Sequence, residues 1–138
     1  MLPESVREVL DSDGLAHVST IREDGRPHVT IAWVGLDGDT VVMGTLFDQR
    51  KLANLRRDPR VTLSIQTATV NDFGLTEYLV VYGTAEVIEG GAPELLSRLA
   101  QTYIGPGTKF PPMPDPPPGF VTRVTVERVG GVGLWTAR

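Results

Sequence analysis

Residues 44–61 read GTLFDQRKLANLRRDPRV, a strand end followed by a short cationic helix. Between Arg50 and Arg60, five Arg or Lys side chains stand against one Asp. The whole chain, in contrast, has a formal net charge of -4. A local concentration of positive charge in an acidic protein predicts a binding site for an anion.

The start of this helix supports the same prediction. Asp48 is a favourable N-cap residue, and the helix is expected to end near Asp58, because the residue before Pro59 disfavours helical backbone. Arg50 and Lys51 then fall in the first turn, where the helix dipole disfavours cations by about 0.3 to 1 kcal/mol each. Two cations beside free backbone N–H groups would hold a phosphate well. The alternative is a solvated basic helix face.

Composition narrows the functional class. The 138 residues predict one domain over residues 1–138, and the acidic balance argues against nucleic-acid binding. The chain has no cysteine, which fits a cytoplasmic protein and excludes thiol catalysis and cysteine-ligated metals. With two histidines and no acidic cluster beside them, no metal site is expected. No apolar run approaches the roughly 20 residues of a membrane span, and no signal peptide is evident.

Hydrophobic periodicity and turn residues predict a mainly β protein with a few short helices. An Asp-Gly hairpin joins the first two strands, and His17 lies within the first, where a buried core histidine is expected. A Gly130-Gly131 pair is expected to break the last strand. Antiparallel strands in this number predict a closed or nearly closed β-barrel. The predicted helices span 2–12 and 93–103, and the predicted strands span 15–22, 28–35, 40–45, 60–67, 77–88 and 120–135.

Residues 105–119 form a distinct segment with seven prolines. This composition predicts an irregular, extended loop. Two interpretations are open, a lid or recognition strap over a pocket and a stiff connector between the last helix and the last strand. A substrate pocket would be built from this loop and from residues 69–76.

Three stretches together carry a family resemblance over nearly the whole chain. They are LAHVSTIREDGRPHV at residues 15–29, the strand end Gly44-Thr45, and Lys51 followed by NLRRDPRV at 54–61. This arrangement resembles the pyridoxamine 5'-phosphate oxidase-like split β-barrel flavoproteins, and more narrowly their F420-dependent, deazaflavin branch. The resemblance implies a split β-barrel of six or seven strands and a homodimer with a cofactor groove between subunits.

The resemblance also implies an activity, namely hydride transfer between coenzyme F420 and a small conjugated organic substrate. Two alternatives remain: an FMN-dependent oxidase or reductase of the same fold, and a non-catalytic flavin or deazaflavin carrier. No catalytic side chain is assigned. By position, the resemblance implies cofactor contacts by Lys51 at the phosphate, by Gln49 and Arg50 beside it, by Gly44 and Thr45 at the strand end, by His28, Thr30, Ile31 and Ala32 along the second strand, and by Arg26 at an acidic tail.

Overall fold

The computed structural model describes residues 1–136. Three α-helices are present in this range: α1 (Glu4–Leu10), α2 (Arg50–Arg57) and α3 (Ala92–Tyr103). Seven strands accompany them: β1 (Ala16–Ile21), β2 (Pro27–Ala32), β3 (Gly35–Asp37), β4 (Thr40–Thr45), β5 (Arg60–Val70), β6 (Thr76–Glu89) and β7 (Phe120–Val132). One turn of 3-10 helix follows at Leu134–Thr136. No helix among these residues is long and apolar enough to span a membrane.

All seven strands belong to one antiparallel sheet in the order β2-β1-β5-β6-β7-β4-β3. Strands β6 and β7 form its longest pairing, which runs from Tyr78 opposite Val132 to Glu89 opposite Phe120. The two ends of the strand order, β2 and β3–β4, come from the first half of the chain. This architecture confirms the predicted mainly β, split-barrel class.

The inward face of the sheet forms the core. Along β6, Leu79 and Val81 are fully buried, whereas the alternate residues Tyr78 and Tyr82 are exposed on the outer face. Strand β5 supplies the buried Leu63 to the same interior. Each such side chain contributes about 1.5 to 3 kcal/mol of hydrophobic stabilisation. The alternation of residues along the sequence therefore correctly indicates which side chains of these strands face the core and which face outward.

The last strand and the predicted strand 28–35 each differ in one detail from the sequence prediction. Strand β7 does not break at Gly130-Gly131, since both glycines pair with β6. A Cβ at Gly131, whose φ is +97°, would lie 2.1 Å from the carbonyl oxygen of Tyr78. The glycine thus permits close strand approach rather than ending the strand. The segment 28–35 is also divided, with Gly35 beginning the separate short strand β3.

The prediction of a core position for His17 is wrong. Its neighbours Ala16 and Val18 are fully buried, so strand alternation turns the imidazole to the outer face, where it is exposed. His17 lies opposite Ile31 in the pairing of β1 with β2. Ile31 and Val29 are each 59% exposed on that face. The outer face of the sheet therefore carries uncovered apolar side chains.

Candidate functional site

A cavity of about 370 Å³ lies where strand β2, the end of β4 and the start of α2 come together. Its volume is within the range of about 300 to 1,000 Å³ typical of small-molecule sites. Lys51 is the one charged residue among the described residues that line it. The lining residues are Leu15, Ile31, Ala32, Trp33, Gly44, Thr45, Leu46, Phe47, Gln49, Lys51, Leu96 and Phe110.

The start of α2 leaves backbone donors uncapped. Gln49, not the predicted Asp48, occupies the N-cap position, and its side chain makes no capping hydrogen bond. The Asp48 carboxylate instead pairs with Arg56, with an Nη1–Oδ1 distance of 3.1 Å. In an α-helix the first-turn N–H groups have no intrahelical acceptor. The N–H groups of Arg50 and Lys51 are thus available to an anion, beside the positive end of the helix dipole.

Lys51 is a buried cation without a counterion. It is 5% exposed, and no carboxylate or hydrogen-bond acceptor among residues 1–136 contacts its ammonium group. Burial lowers the pKa of Lys51 below its ordinary value. Partial loss of hydration destabilises the charged form, and an anion bound in the cavity would offset that cost. Lys51 therefore points to an anionic ligand in the cavity.

The packing of α2 holds Lys51 in this orientation. Leu52 and Leu55 are buried against the sheet. The Asn54 side chain is also buried, and its Nδ2 donates to the Thr20 hydroxyl at 3.0 Å. The Arg57 guanidinium donates to the Ile21 carbonyl. These contacts on strand β1 fix the rotation of the helix about its axis, which turns position 51 toward the cavity.

The end of β4 brings Gly44 and Thr45 to the cavity wall. Thr45 is 5% exposed, and its hydroxyl makes no hydrogen bond within residues 1–136. Its carbonyl oxygen lies against Gly119, where a Cβ would come within 2.4 Å of it. A Cβ at Gly44 would lie 3.0 Å from Cγ of Leu96. The glycine at 44 thus lets α3 approach the strand end, in addition to leaving room beside the cavity.

The structure brings together six of the ten predicted site residues. Ile31, Ala32, Gly44, Thr45, Gln49 and Lys51 line one cavity. The other four, Arg26, His28, Thr30 and Arg50, do not line it.

Those four residues lie in three other places. Arg50 is exposed and borders a neighbouring shallow groove, and Arg26 is exposed at the β1–β2 turn. His28 and Thr30 lie on the opposite face of β2 from Ile31. The Nδ1 atom of His28 and the hydroxyl oxygen of Thr30 are buried there without a hydrogen-bond partner. Within residues 1–136, no group of three or more His, Asp or Glu side chains is arranged to hold a metal ion.

Most of the apolar wall was not anticipated by residue. Phe110 is the single aromatic residue of the proline-rich segment, and that composition was the available signal. Leu96 is one of the periodic apolar residues of α3, and this pattern is equally typical of a core residue. The segment 69–76 contributes no residue to this cavity. Phe110 does come from the loop 105–119 that was predicted to build a pocket. The lining residues outside the ten predicted cofactor positions are Leu15, Trp33, Leu46, Phe47, Leu96 and Phe110.

The family comparison agrees with this geometry. Residues 2–133 match the family model described as pyridoxamine 5'-phosphate oxidase. The chain belongs to that family. No curated protein sequence matches it.

Solved structures share the fold of this chain at low sequence identity. An F420 reductase is 24% identical with a TM-score of 0.74, over 94% of this chain and 98% of that one. A conserved hypothetical protein from Mycobacterium tuberculosis is 27% identical with a TM-score of 0.73, over 95% and 84% of the two chains. A FAD-binding protein from Mesorhizobium loti is 19% identical with a TM-score of 0.63, over 90% and 88%. Solved structures that share this fold therefore include proteins named for F420 and for FAD.

Proposed function

We propose that the protein is an oxidoreductase that uses coenzyme F420 to transfer a hydride to or from a small conjugated organic molecule. The observation that carries the proposal is the buried, unpaired Lys51 in an otherwise uncharged cavity. A ligand with one anionic group and a largely apolar, ring-containing body has the matching chemistry. The F420 reductase among the structural relatives favours a deazaflavin over other ligands of this type.

The residues of the cavity suit the two parts of such a cofactor. The Lys51 ammonium and the free N–H groups of the first turn of α2 would hold the phosphate. The Thr45 hydroxyl, which has no internal partner, would donate to a phosphate oxygen or to the polyol chain. Ile31 and Ala32 on β2 would form an apolar surface beside the ring. Each group is already oriented by helix or strand packing, so binding requires little ordering of the protein.

The arrangement favours cofactor chemistry over side-chain catalysis. The described lining residues include no serine, no histidine and no carboxylate, so neither a Ser-His-Asp arrangement nor paired carboxylates line the cavity. A deazaflavin would itself supply the hydride. The protein's contribution is to bind the anionic group at Lys51, to orient the ring, and to keep water from the apolar wall.

The FAD-binding protein of the same fold supports a flavin cofactor, and FMN is the flavin alternative proposed for this chain. The phosphate site described above would serve FMN equally. A non-catalytic carrier would use the same cavity and would differ in showing no turnover. Binding and turnover measurements separate the three functions.

The decisive experiment is a fluorescence titration of the purified apo-protein with oxidised F420 and, in parallel, with FMN. Micromolar or tighter F420 binding with weak FMN binding supports the proposal, and the reverse preference supports the FMN enzyme. Consumption of reduced F420 with a panel of conjugated acceptors then tests catalysis. Tight F420 binding without turnover over the panel would favour a carrier, and binding of neither cofactor would overturn the assignment.

We further propose that the protein acts as a homodimer through the outer face of the sheet. Val29 and Ile31 on β2 expose apolar surface there, and Ile31 continues into the cavity wall. Exposed apolar surface beside a cavity is a candidate interaction site. Val29→Asp is expected to shift the protein toward monomer in sedimentation velocity. Ile104→Asp, at another position that is 56% exposed, serves as the control and should leave the assembly unchanged.

A further inference from the structure

An aromatic cluster forms one side of the cavity. The Trp33 ring stacks on Tyr103, with a centroid distance of 5.3 Å and an interplanar angle of 10°. Phe110 tilts against Trp33 at 5.1 Å and 54°. Trp33 and Phe110 line the cavity, whereas Tyr103 does not. The two cavity-facing rings are therefore supported by a third ring.

The Tyr103 hydroxyl fixes this support. It accepts a hydrogen bond from the Val34 N–H at 3.0 Å, and the Gly14 and Val34 carbonyl oxygens lie 2.9 and 3.1 Å away as acceptors for its proton. Burial raises the pKa of Tyr103. The hydroxyl thus remains a neutral donor that ties the end of α3 to Val34, which follows Trp33, and to Gly14, which precedes β1.

The proline-rich segment that carries Phe110 is anchored at both ends. At its start, the Gln101 side chain accepts from the Gly107 N–H at 2.7 Å and donates to the Thr108 carbonyl at 2.9 Å. At its end, the Ala92 N–H donates to the Pro118 carbonyl at 3.0 Å. Seven prolines between residues 105 and 119 further restrict the backbone. The segment is therefore hydrogen-bonded to α3 at both of its ends.

We propose that Trp33 and Phe110 form a selectivity wall for a planar, uncharged, conjugated ring, held in place by the anchored segment 105–119. The inference rests on the proposed function and names the ring chemistry of the same site. Aromatic faces favour planar unsaturated partners in offset or edge-to-face contact over saturated rings of equal size. No charged group other than Lys51 lines the described cavity, so a charged ring would be desolvated without a partner.

The ring could belong to the cofactor or to the substrate, and probes without phosphate distinguish these sources. Isothermal titration calorimetry would use riboflavin as the cofactor-type ring, menadione as a substrate-type planar ring, and 2-decalone as a saturated ring. In the wild type, one or both planar probes bind more tightly than 2-decalone. Binding of riboflavin alone assigns the wall to the cofactor, and binding of menadione alone assigns it to the substrate. Equal binding of all three probes, or of none, overturns the proposal.

Matched phenylalanine variants locate the effect. Phe110→Leu is expected to lower the preference for a planar probe over 2-decalone by roughly 2- to 12-fold. Phe73→Leu changes a phenylalanine that is 89% exposed outside the cavity, and should leave that preference unchanged. An unchanged preference in Phe110→Leu would overturn the wall.

Gln101→Leu tests the anchoring, since it retains Phe110 but removes the hydrogen bonds to residues 107 and 108. Gln101 is a positioning residue, and its loss should lower the planar preference while circular dichroism shows an intact fold. An unchanged preference would overturn the fixed-wall element of the proposal. None of the three probes carries a phosphate, so these results are independent of Lys51. If the phosphate site fails, FMN would bind more weakly, whereas the preference for planar probes over 2-decalone would be unchanged.

Discussion

The two ends of helix α2 carry similar charges in different environments. At the first turn, Lys51 is buried, lines the cavity and has no counterion among the described residues. In the last turn, Arg56 is exposed, pairs with Asp48, and lies 5.1 Å from the centroid of the Phe120 ring. The comparison teaches that a run of cations does not define an anion site. Burial without a partner separates Lys51, the proposed ligand-binding cation, from Arg56, which is paired on the surface.

The largest expected effect is loss of affinity in Lys51→Met, which keeps the length of the side chain but removes its charge. Loss of a charge-assisted contact to phosphate costs about 1.5 to 3 kcal/mol, or about 10- to 150-fold in the Kd of F420 or FMN. Fluorescence titration measures the change. Arg56→Met is the matched control at the other end of the helix, and equal losses in the two variants would contradict the distinction drawn between them.

The second prediction concerns the pH dependence of stability. Burial lowers the pKa of Lys51 in the folded protein, so the unfolded chain binds more protons between that pKa and the ordinary value of about 10.4. The free energy of unfolding of the apo-protein should therefore increase as pH rises through that window. The contribution of Lys51 to this increase is at most about 1.4 kcal/mol per pH unit. At pH values below the pKa of Lys51 in the folded protein, both states hold the proton, and Lys51 no longer makes the free energy of unfolding depend on pH.

Urea unfolding of the wild type and of Lys51→Met between neutral pH and pH 10 isolates this contribution, because the other titrating groups are shared. The difference between the two proteins should vary with pH in the stated direction. A constant difference would mean that Lys51 is not desolvated in solution. Saturating phosphate ligand should reduce the pH dependence, since it favours the charged ammonium.

The third prediction uses the uncapped N-terminus of α2. Gln49→Asp and Gln49→Asn each introduce a favourable N-cap side chain and should raise the free energy of unfolding by about 1 kcal/mol. Gln49→Asp places a negative charge beside the anion site and should weaken F420 or FMN binding more than Gln49→Asn. Equal affinities in the two variants would argue against a phosphate at this helix terminus.

The smallest expected effect is that of Arg56→Met on stability. Its ion pair with Asp48 is solvent-exposed, and such pairs contribute about 0.2 to 1 kcal/mol. Thermal and urea unfolding should show a loss in that range with unchanged cofactor affinity. A decrease of several kcal/mol in the free energy of unfolding would indicate that Arg56 contributes more than a solvent-exposed ion pair.

Local sequence signals predicted most of the fold. The Asp24-Gly25 hairpin, the alternating pattern of β6 and the periodic leucines of α3 each depend on interactions within a few residues, and the structure confirms these elements. The prediction failed where a distant partner decides the outcome. The Gly130-Gly131 pair reads as a break, but Tyr78 on the neighbouring strand explains why a glycine is needed.

The candidate site was predictable on one side. Residues next to the cationic helix and the strand end, such as Lys51, Gln49 and Thr45, share a local motif, and the structure brings them to one cavity. Phe110 and Leu96 reach the same cavity from segments more than 40 positions further along the chain. Their proximity follows from how α3 and the proline-rich segment pack, which no local pattern encodes.

The sequence by itself determined the strand and helix pattern, the placement of a cationic helix after a strand, and the family resemblance, because periodicity, turn residues and short motifs act over short distances. Tertiary structure alone decided which cation is buried without a partner, that His17 faces outward, and that an anchored loop supplies an aromatic wall. Burial, charge pairing and ring stacking depend on residues far apart in the chain. These properties arise only once the sheet and helices have packed around the core.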